Sequence, residues 1–375
     1  MSGASRVSHE RMPSPLQKQT RAEAPSQRQA SPARESTLRI GSWLSLRVRR
    51  RSLIIAALLV LAILIVGVLA LTLGTLGVSL PGLASALFGQ ATGTDQIVLG
   101  VIRGPRLVVA VAAGAAFGVA GTLFQTVTRN PLGSPDVIGL TSGAAAGAAA
   151  FGVMWTGIVP LPVGALIGAC VAMALVYFAT GTGFASPTRM LLVGIGVSAM
   201  SLAFVQFAIA RTGLEQATML ASYLNGSLAS RSWEHAAIIG GALVVLLPLA
   251  LLLSGRLQLA EMGDEQADAL GGRSAGTRLL SILTGIGLAT AAVSVAGPVA
   301  FIALIAPQIA KRLTRAPGPN VGLSALAGAL LLTFADLLAQ QSPFPVQLPV
   351  GILTAALGGI YLGWLLLGEW KKGTV

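Results

Sequence analysis

The sequence of 375 residues is apolar and basic: 54% of its residues are hydrophobic, 10% are charged, and the formal net charge is +12. Because a soluble globular protein carries about 25% charged residues, this composition excludes an ordinary soluble protein and predicts a multispanning membrane protein. Excess Lys and Arg are typical of the cytoplasmic loops of membrane proteins, so the charge does not indicate a nucleic-acid-binding protein.

Residues 1–46 are rich in Ser, Pro, Gln and Arg and have few large apolar side chains. Such a segment cannot bury enough apolar surface to offset its conformational entropy, so we expect a disordered basic tail in the cytoplasm. A solvated extension and a segment that binds the membrane surface both fit this composition. The apolar run after the tail is too long for the h-region of a signal peptide, so it predicts an uncleaved first span.

Residues 47–370 contain ten apolar segments that predict a transmembrane domain. With the N-terminus in the cytoplasm, Lys and Arg at the inner ends of these segments outnumber those at the outer ends by more than three to one, which favours both termini inside. We therefore predict an all-α polytopic membrane protein with about ten transmembrane helices. The eighth segment is short and is expected to be tilted or partly re-entrant. The expected spans are 53–76, 106–127, 136–156, 161–180, 190–210, 235–254, 279–298, 299–313, 321–339 and 349–368.

The polar stretch TRNPLGSP, residues 128–135, joins the second and third spans. Pro131 lacks an N–H group and disfavours helical geometry at Asn130, whereas Pro135 suits the first turn of the next helix. The Asn130 side chain can hydrogen-bond backbone groups that the break leaves free. A simple cytoplasmic turn and a helix break with a working role both fit this pattern.

The longest inner loop, residues 254–278, carries the main acidic cluster of the chain. Its pattern predicts two short helices broken at Gly263, with Gly271 and Gly272 ending the second. A short helix pair suits a groove on a partner protein, and a solvated loop is the alternative. The acidic residues are Glu261, Asp264, Glu265 and Asp268.

Arg103 and Arg106 stand at the outer mouth of the second span. They suit anchoring at the lipid interface, and they equally suit forked hydrogen bonds to carboxylates of an external protein. Asp336, the clearest acid within a span, is expected to be a hydrogen-bonding residue at a helix end rather than a proton carrier.

Catalytic, cofactor and metal motifs are absent from the sequence. Without a phosphate-binding loop, the chain is not expected to bind ATP. Two histidines, His9 and His235, and a single cysteine, Cys170, do not make a metal site. The spans also lack the chain of ionisable residues that a stand-alone secondary carrier usually needs, which weakens that alternative.

Five motifs, in order, resemble the FecCD-type permeases, the membrane subunits of ABC importers for ferric siderophores, haem and vitamin B12. They cover residues 53–368 and are RGPRLVVAVAAGAAFGVAGTLFQTVTRNPLGSPDVIGLTSGA (103–144), LAEMGDEQADALG (259–271), AGPVAFIALIAPQIAKRL (296–313), LSALAGALLLTFADLLAQ (323–340) and QLPVGILTAALGGIYLGWLLL (347–367). The resemblance implies a type II ABC importer permease fold, no enzymatic activity, and a place in the cytoplasmic (inner) membrane of a bacterium. The stretches APQIAKRLTR and QLPVG…GGIYLGWLL look closer to the branch for catecholate-type ferric siderophores than to the others, and vitamin B12 and haem are the alternatives.

The resemblance also implies roles for individual residues and partners. ABC ATPase subunits would dock on Glu261, Gly263, Glu265, Ala267, Leu270 and Gly271. An extracytoplasmic siderophore-binding protein would meet Arg103 and Arg106, while Gln340 stands where the vitamin B12 branch has a further arginine. Asn130, Pro131 and Pro135 would form a helix break near the translocation path. A second permease copy or a paralogue would complete that path, lined by candidates Gln125, Ser198, Ser201 and Gln206.

Overall fold

The computed structural model describes residues 35–40, 44–74, 76–181, 186–342 and 348–370. The chain divides into two compact units, residues 1–50 and 51–375. In the first unit, strands β1 (Glu35–Ile40) and β2 (Leu44–Arg49) pair antiparallel, with Glu35 opposite Arg49. This hairpin departs from the disordered tail predicted for residues 1–46. The alternation of apolar and polar residues in β2 is typical of a strand, and residues 1–34 lie outside the described part.

Ten helices of the described chain correspond to the ten predicted spans. The short eighth member, α12, follows a break where Gly297 and Phe301 adopt φ of 76° and 67°. Its 13 residues rise about 20 Å, less than the hydrocarbon thickness of about 30 Å. The ten are α1 (Arg50–Thr72), α4 (Arg103–Thr128), α5 (Leu140–Ala149, extended by a π-helical turn to Met154), α6 (Leu161–Ala179), α7 (Pro187–Ala210), α9 (Trp233–Ala260), α11 (Ser274–Ala296), α12 (Ile302–Thr314), α13 (Val321–Gln340) and α14 (Val350–Trp370).

Seven helices in the described ranges are long and apolar enough to cross a membrane, and Leu140–Met154 and Val350–Trp364 are shorter apolar helices. Four further short helices lie between the spans: α2 (Leu80–Leu87), α3 (Gly93–Ile97), α8 (Leu214–Leu224) and α10 (Asp264–Ala269). Outside the hairpin, the described residues form helices and turns only. The domain is therefore an all-α polytopic membrane fold.

Helix α4 forms the centre of the domain and packs against α9, α11, α12 and α13. It is buried almost continuously from Val109 to Val127. Small residues let the backbones approach closely: a Cβ at Gly114 would overlap the Gly328 carbonyl, and a Cβ at Gly121 would overlap the Ala303 carbonyl. Close packing through Gly and Ala replaces the hydrophobic driving force that helices in lipid lack. This packing fixes the two ends of α4, where the candidate site residues lie.

Candidate functional site

The TRNPLGSP turn ends α4 with a sharp reversal. Arg129 adopts a left-handed φ of 50°, and the Asn130 N–H donates to the Gln125 carbonyl at 3.2 Å. The Asn130 Oδ1 accepts a bond from the Leu132 N–H at 2.9 Å, as the sequence predicts for a break with free backbone groups. Pro135 starts a 3-10 helix, Pro135–Ile138, rather than the α-helix itself, because Gly139 with φ of 92° separates it from α5.

Two glutamines attach this turn to the short helix α12. Gln308 donates from Nε2 to the Gln125 Oε1 at 2.8 Å and to the Pro131 carbonyl at 3.1 Å. Gln125 donates in turn to the Leu304 carbonyl at 2.9 Å. Gln125 is 3% exposed, so it lies inside the subunit and does not face a path on its surface. The prediction of Gln125 as a lining residue is corrected accordingly.

The other lining candidates lie on α7. Ser198 and Ser201 are half-buried, and Gln206 is exposed. The Ser198 side chain lies beside Gly139, at the start of α5. These three residues therefore occupy a helix with an accessible face, and their role in a path stays a prediction.

The inner loop differs in part from the predicted helix pair. Its first half continues α9 to Ala260, so only α10 is a separate short helix. The break at Gly263 has a φ of 119°, and Gly271 follows α10 with a φ of 78°. We call residues 261–271 the coupling segment. The helix α9 continues past the predicted boundary at residue 254, through Gly255, Arg256 and Gln258, because a helix can extend into water beyond the apolar run that spans the membrane.

The coupling segment has both exposed and buried side chains. Met262 and Leu270 are 58% and 62% exposed, which is unusual for apolar residues outside a span. Glu265 is exposed as well, and Glu261 pairs with Lys311 of α12 at 3.7 Å. Ala267, in contrast, is 1% exposed. It packs α10 against the domain and is not available to a partner, which corrects its predicted docking role.

Asp264 holds the coupling segment to two helices. Its carboxylate accepts bonds from Arg129 at the end of α4 and from Arg278 in α11, both at 2.5 Å. Arg129 also donates to the Ala260 carbonyl at 2.8 Å. Partial desolvation acts to raise the pKa of the Asp264 carboxyl, but the bonds from Arg278 and Arg129 outweigh it and the pKa lies below its ordinary value. The sequence shows Asp264 only as one acid in a cluster, because Arg129 is 135 residues away in the chain and the loop pattern does not show that Arg278 turns back towards Asp264.

Arg103 and Arg106, which are predicted to lie at the outer face, both make bonds within the subunit. Arg103 donates from Nη1 to the Ala70 and Leu73 carbonyls at 2.7 and 2.6 Å, where α1 ends. Arg106 makes a forked pair with Asp336 of α13, with distances of 2.8 to 3.1 Å. Gln340 donates to the same carboxylate at 2.8 Å. Asp336 is thus a hydrogen-bonding residue near a helix end, as predicted, and Arg106 and Gln340 both bind its carboxylate within the subunit.

A network of charge and backbone contacts therefore occupies each end of α4, and the described residues hold no cluster of three metal-ligating side chains.

Comparisons with known proteins identify the family. The FecCD transport family model matches residues 60–368. The chain is 39% identical over 326 residues to the ferric enterobactin transport system permease protein FepG of Escherichia coli, covering 87% of this chain and 99% of that protein. It is 35% identical to the achromobactin transport system permease protein CbrC of Dickeya dadantii, covering 84% of this chain and 90% of CbrC. It is 33% identical to the Fe(3+)-citrate import system permease protein YfmE of Bacillus subtilis, covering 87% of this chain and 98% of YfmE.

A solved structure supports the same assignment. The inward-facing conformation of a metal-chelate type ABC transporter matches with a TM-score of 0.75 and 27% identity, covering 84% of this chain and 99% of that chain. A permease of this kind works with an ATPase and a binding protein. The chain belongs to the FecCD transport family and is a multispanning permease subunit of an ABC importer, not an enzyme.

Proposed function

We propose that this permease carries a ferric siderophore of the catecholate type across the cytoplasmic membrane. The support is its 39% identity to a ferric enterobactin permease over nearly the whole of that protein. A ferric siderophore is large and polar, so its direct passage through hydrocarbon is prohibitive. A path between two subunits, either two copies or this chain with a paralogue, would provide the route. Ser198, Ser201 and Gln206 on α7 are its proposed lining.

The coupling segment is the proposed docking site of the ATPase. The observation that carries this proposal is that the segment is both exposed and attached: Met262 and Leu270 are exposed, while Asp264 binds Arg129 and Arg278. Two exposed apolar side chains beside a short helix suit a groove on a partner. Movement of the docked segment would then be passed to the end of α4 through the contact between Asp264 and Arg129. Because Asn130 and Pro131 follow Arg129 in the chain, the turn would move with it.

The end of the domain that carries Arg103 and Arg106, opposite the coupling segment, is the proposed docking surface for the external binding protein. This proposal places both termini in the cytoplasm. Each guanidinium has five N–H donors, and the bonds to carbonyls and to Asp336 use only part of them. Arg103 and Arg106 therefore keep donors for carboxylates of a partner. Because Arg106 is already paired, Arg103 carries the larger share in this proposal.

Reconstitution tests this function directly. The permease is inserted into liposomes with its ATPase and binding protein, and uptake of radioactive iron is measured with a catecholate siderophore, a hydroxamate siderophore, haem and vitamin B12. We expect uptake that requires ATP and is greatest for the catecholate chelate. Uptake of haem or vitamin B12 alone would overturn the substrate assignment, and transport by the permease alone along an ion gradient would overturn the proposed mechanism.

A further inference from the structure

Several breaks in the helices meet around one cavity that is open to the surface of the subunit on the side of the exposed Asn225. The segment after α8, the break between α11 and α12, and the start of α14 lie together. The Ser227 N–H donates to the Ala296 carbonyl at 2.9 Å, and the Gly351 N–H donates to the Gly226 carbonyl at 3.2 Å. The cavity between them measures about 380 Å³. Its lining residues are Asp136, Thr141, Leu224, Asn225, Pro298, Val299, Ala300, Gly351, Ile352 and Ala355.

Asp136 brings a carboxyl group to this cavity. The Thr141 side chain hydrogen-bonds the carboxyl group of Asp136. The Oδ1 atom of Asp136 is nevertheless buried and has no hydrogen-bond partner within the described residues. Among the described residues that line the cavity, none is Arg, Lys or His. Because a buried carboxylate without a counter-charge is costly, the group needs a positive charge from outside the chain or must give up its own charge. The transport role derived above does not use Asp136.

The rest of the lining offers oxygen atoms. The Asn225 amide nitrogen donates to the Ala221 carbonyl at 2.8 Å, which leaves the amide oxygen as an acceptor. Pro298 has no N–H, and the carbonyls of Pro298 and Val299 accept no backbone bond within the described residues. A carboxylate combined with carbonyl oxygens of unwound backbone is the ligand chemistry of alkali-cation sites in membrane proteins.

We propose that this cavity binds one small monovalent cation, with Asp136, the Asn225 amide oxygen and the backbone at Pro298 and Val299 as ligands. Dedicated Ca²⁺ sites in proteins use several carboxylates, and the described residues contain no cluster of three acidic, His or Cys side chains. The bound cation neutralises Asp136 and joins the 3-10 helix to the two helix breaks. It therefore stabilises this arrangement of the chain, and the stabilisation rises with the logarithm of the cation concentration once that concentration exceeds the Kd.

Thermal unfolding of the full-length permease in detergent tests this site. The unfolding temperature Tm is measured in NaCl and in equal concentrations of choline chloride, at about pH 8, where an ordinary carboxyl is ionised. Wild type should be stabilised by about 2 °C or more by NaCl at about 0.15 M relative to choline. Asp136→Asn should lose the difference, and its Tm in choline should equal or exceed that of wild type, because the unpaired charge is gone. Glu234→Gln, an exposed acid at the start of α9, is the matched control and should keep the full sodium response.

Direct binding of radioactive sodium to the wild-type permease gives a second readout that does not depend on the folding of a variant. We expect saturable binding of about one ion per chain, not displaced by choline. Equal Tm in the two salts, an unchanged sodium response in Asp136→Asn, or stability that follows pH alone would each overturn the proposal. Since none of these measurements involves the siderophore or the ATPase, they are independent of the transport proposal.

Discussion

Replacement of Asp264 by Asn removes the charge that ties the coupling segment to the end of α4 while leaving the side-chain shape nearly unchanged. The wild-type carboxylate accepts bonds from Arg129 and Arg278 at 2.5 Å. The Asp264 and Arg129 side chains are 42% and 44% exposed, and Arg278 is 22% exposed. Exposed pairs of this kind contribute about 0.2–1 kcal/mol each, because solvent screens them. Two such pairs give about 0.4–2 kcal/mol, and this range includes the about 1.4 kcal/mol that corresponds to a tenfold change in the equilibrium between the attached and the detached segment.

The assay measures substrate uptake and ATP hydrolysis in the same liposomes, with the ATPase and the binding protein present. We expect Asp264→Asn to lower uptake about tenfold per inserted permease, with much less change in basal ATP hydrolysis. Asp264→Glu keeps the charge and should recover part of the uptake, whereas Glu234→Gln should behave as wild type. Uptake by Asp264→Asn within about twofold of wild type at equal insertion would refute the idea that this contact transmits movement.

Three further predictions concern the same networks. Asn130→Ala loses the bond to the Leu132 N–H and should reduce uptake several-fold more than membrane insertion, measured as uptake per inserted chain; equal loss of both would indicate a simple turn. Arg106→Ala leaves the carboxylate of Asp336, which is 3% exposed, without its positively charged partner. This change should destabilise the fold by about 3 kcal/mol, measured as a lower Tm than in Arg106→Lys. The pKa of Asp264 is lowered in the folded chain. The stability that its ionised carboxylate contributes should therefore be complete above the ordinary pKa of 3.8 and lost as pH falls through the lower pKa of the folded chain. Hydrogen exchange of α10 should therefore differ between wild type and Asp264→Asn at neutral pH and converge in acid; a constant difference would contradict the pairing.

The helical spans could be predicted from the sequence because apolar runs in a membrane protein need no knowledge of their neighbours. All ten predicted segments correspond to helices, including the short α12. The helices that were not predicted, such as α8 and α3, are short and of mixed polarity, so no apolar period marks them. The hairpin at Glu35–Ile40 and Leu44–Arg49 was missed because the composition of the whole tail outweighed the short alternating run.

The site residues were located by motif, but their contacts were not predictable. Arg106 and Asp336 are 230 residues apart, and nothing in either motif shows that they pair. Gln125 was read as a polar group facing a path, because the sequence does not show which side of α4 is buried. Ala267 was assigned to the partner surface for the same reason. Side-chain direction depends on how the helices pack, and that packing is set by the small residues of α4 and α13.

Access of the two ends of the domain to aqueous solution tests the central claim that the coupling segment and the outer arginines lie on opposite sides of the membrane. With Cys170 replaced by Ser, a single cysteine is placed at Leu270, 62% exposed in the coupling segment, or at Leu214, 84% exposed at the start of α8. Spheroplasts are then treated with a membrane-impermeant maleimide. We predict that Leu214→Cys is labelled in intact spheroplasts and Leu270→Cys only after permeabilisation. Labelling of Leu270→Cys from outside while Leu214→Cys stays protected would contradict the account.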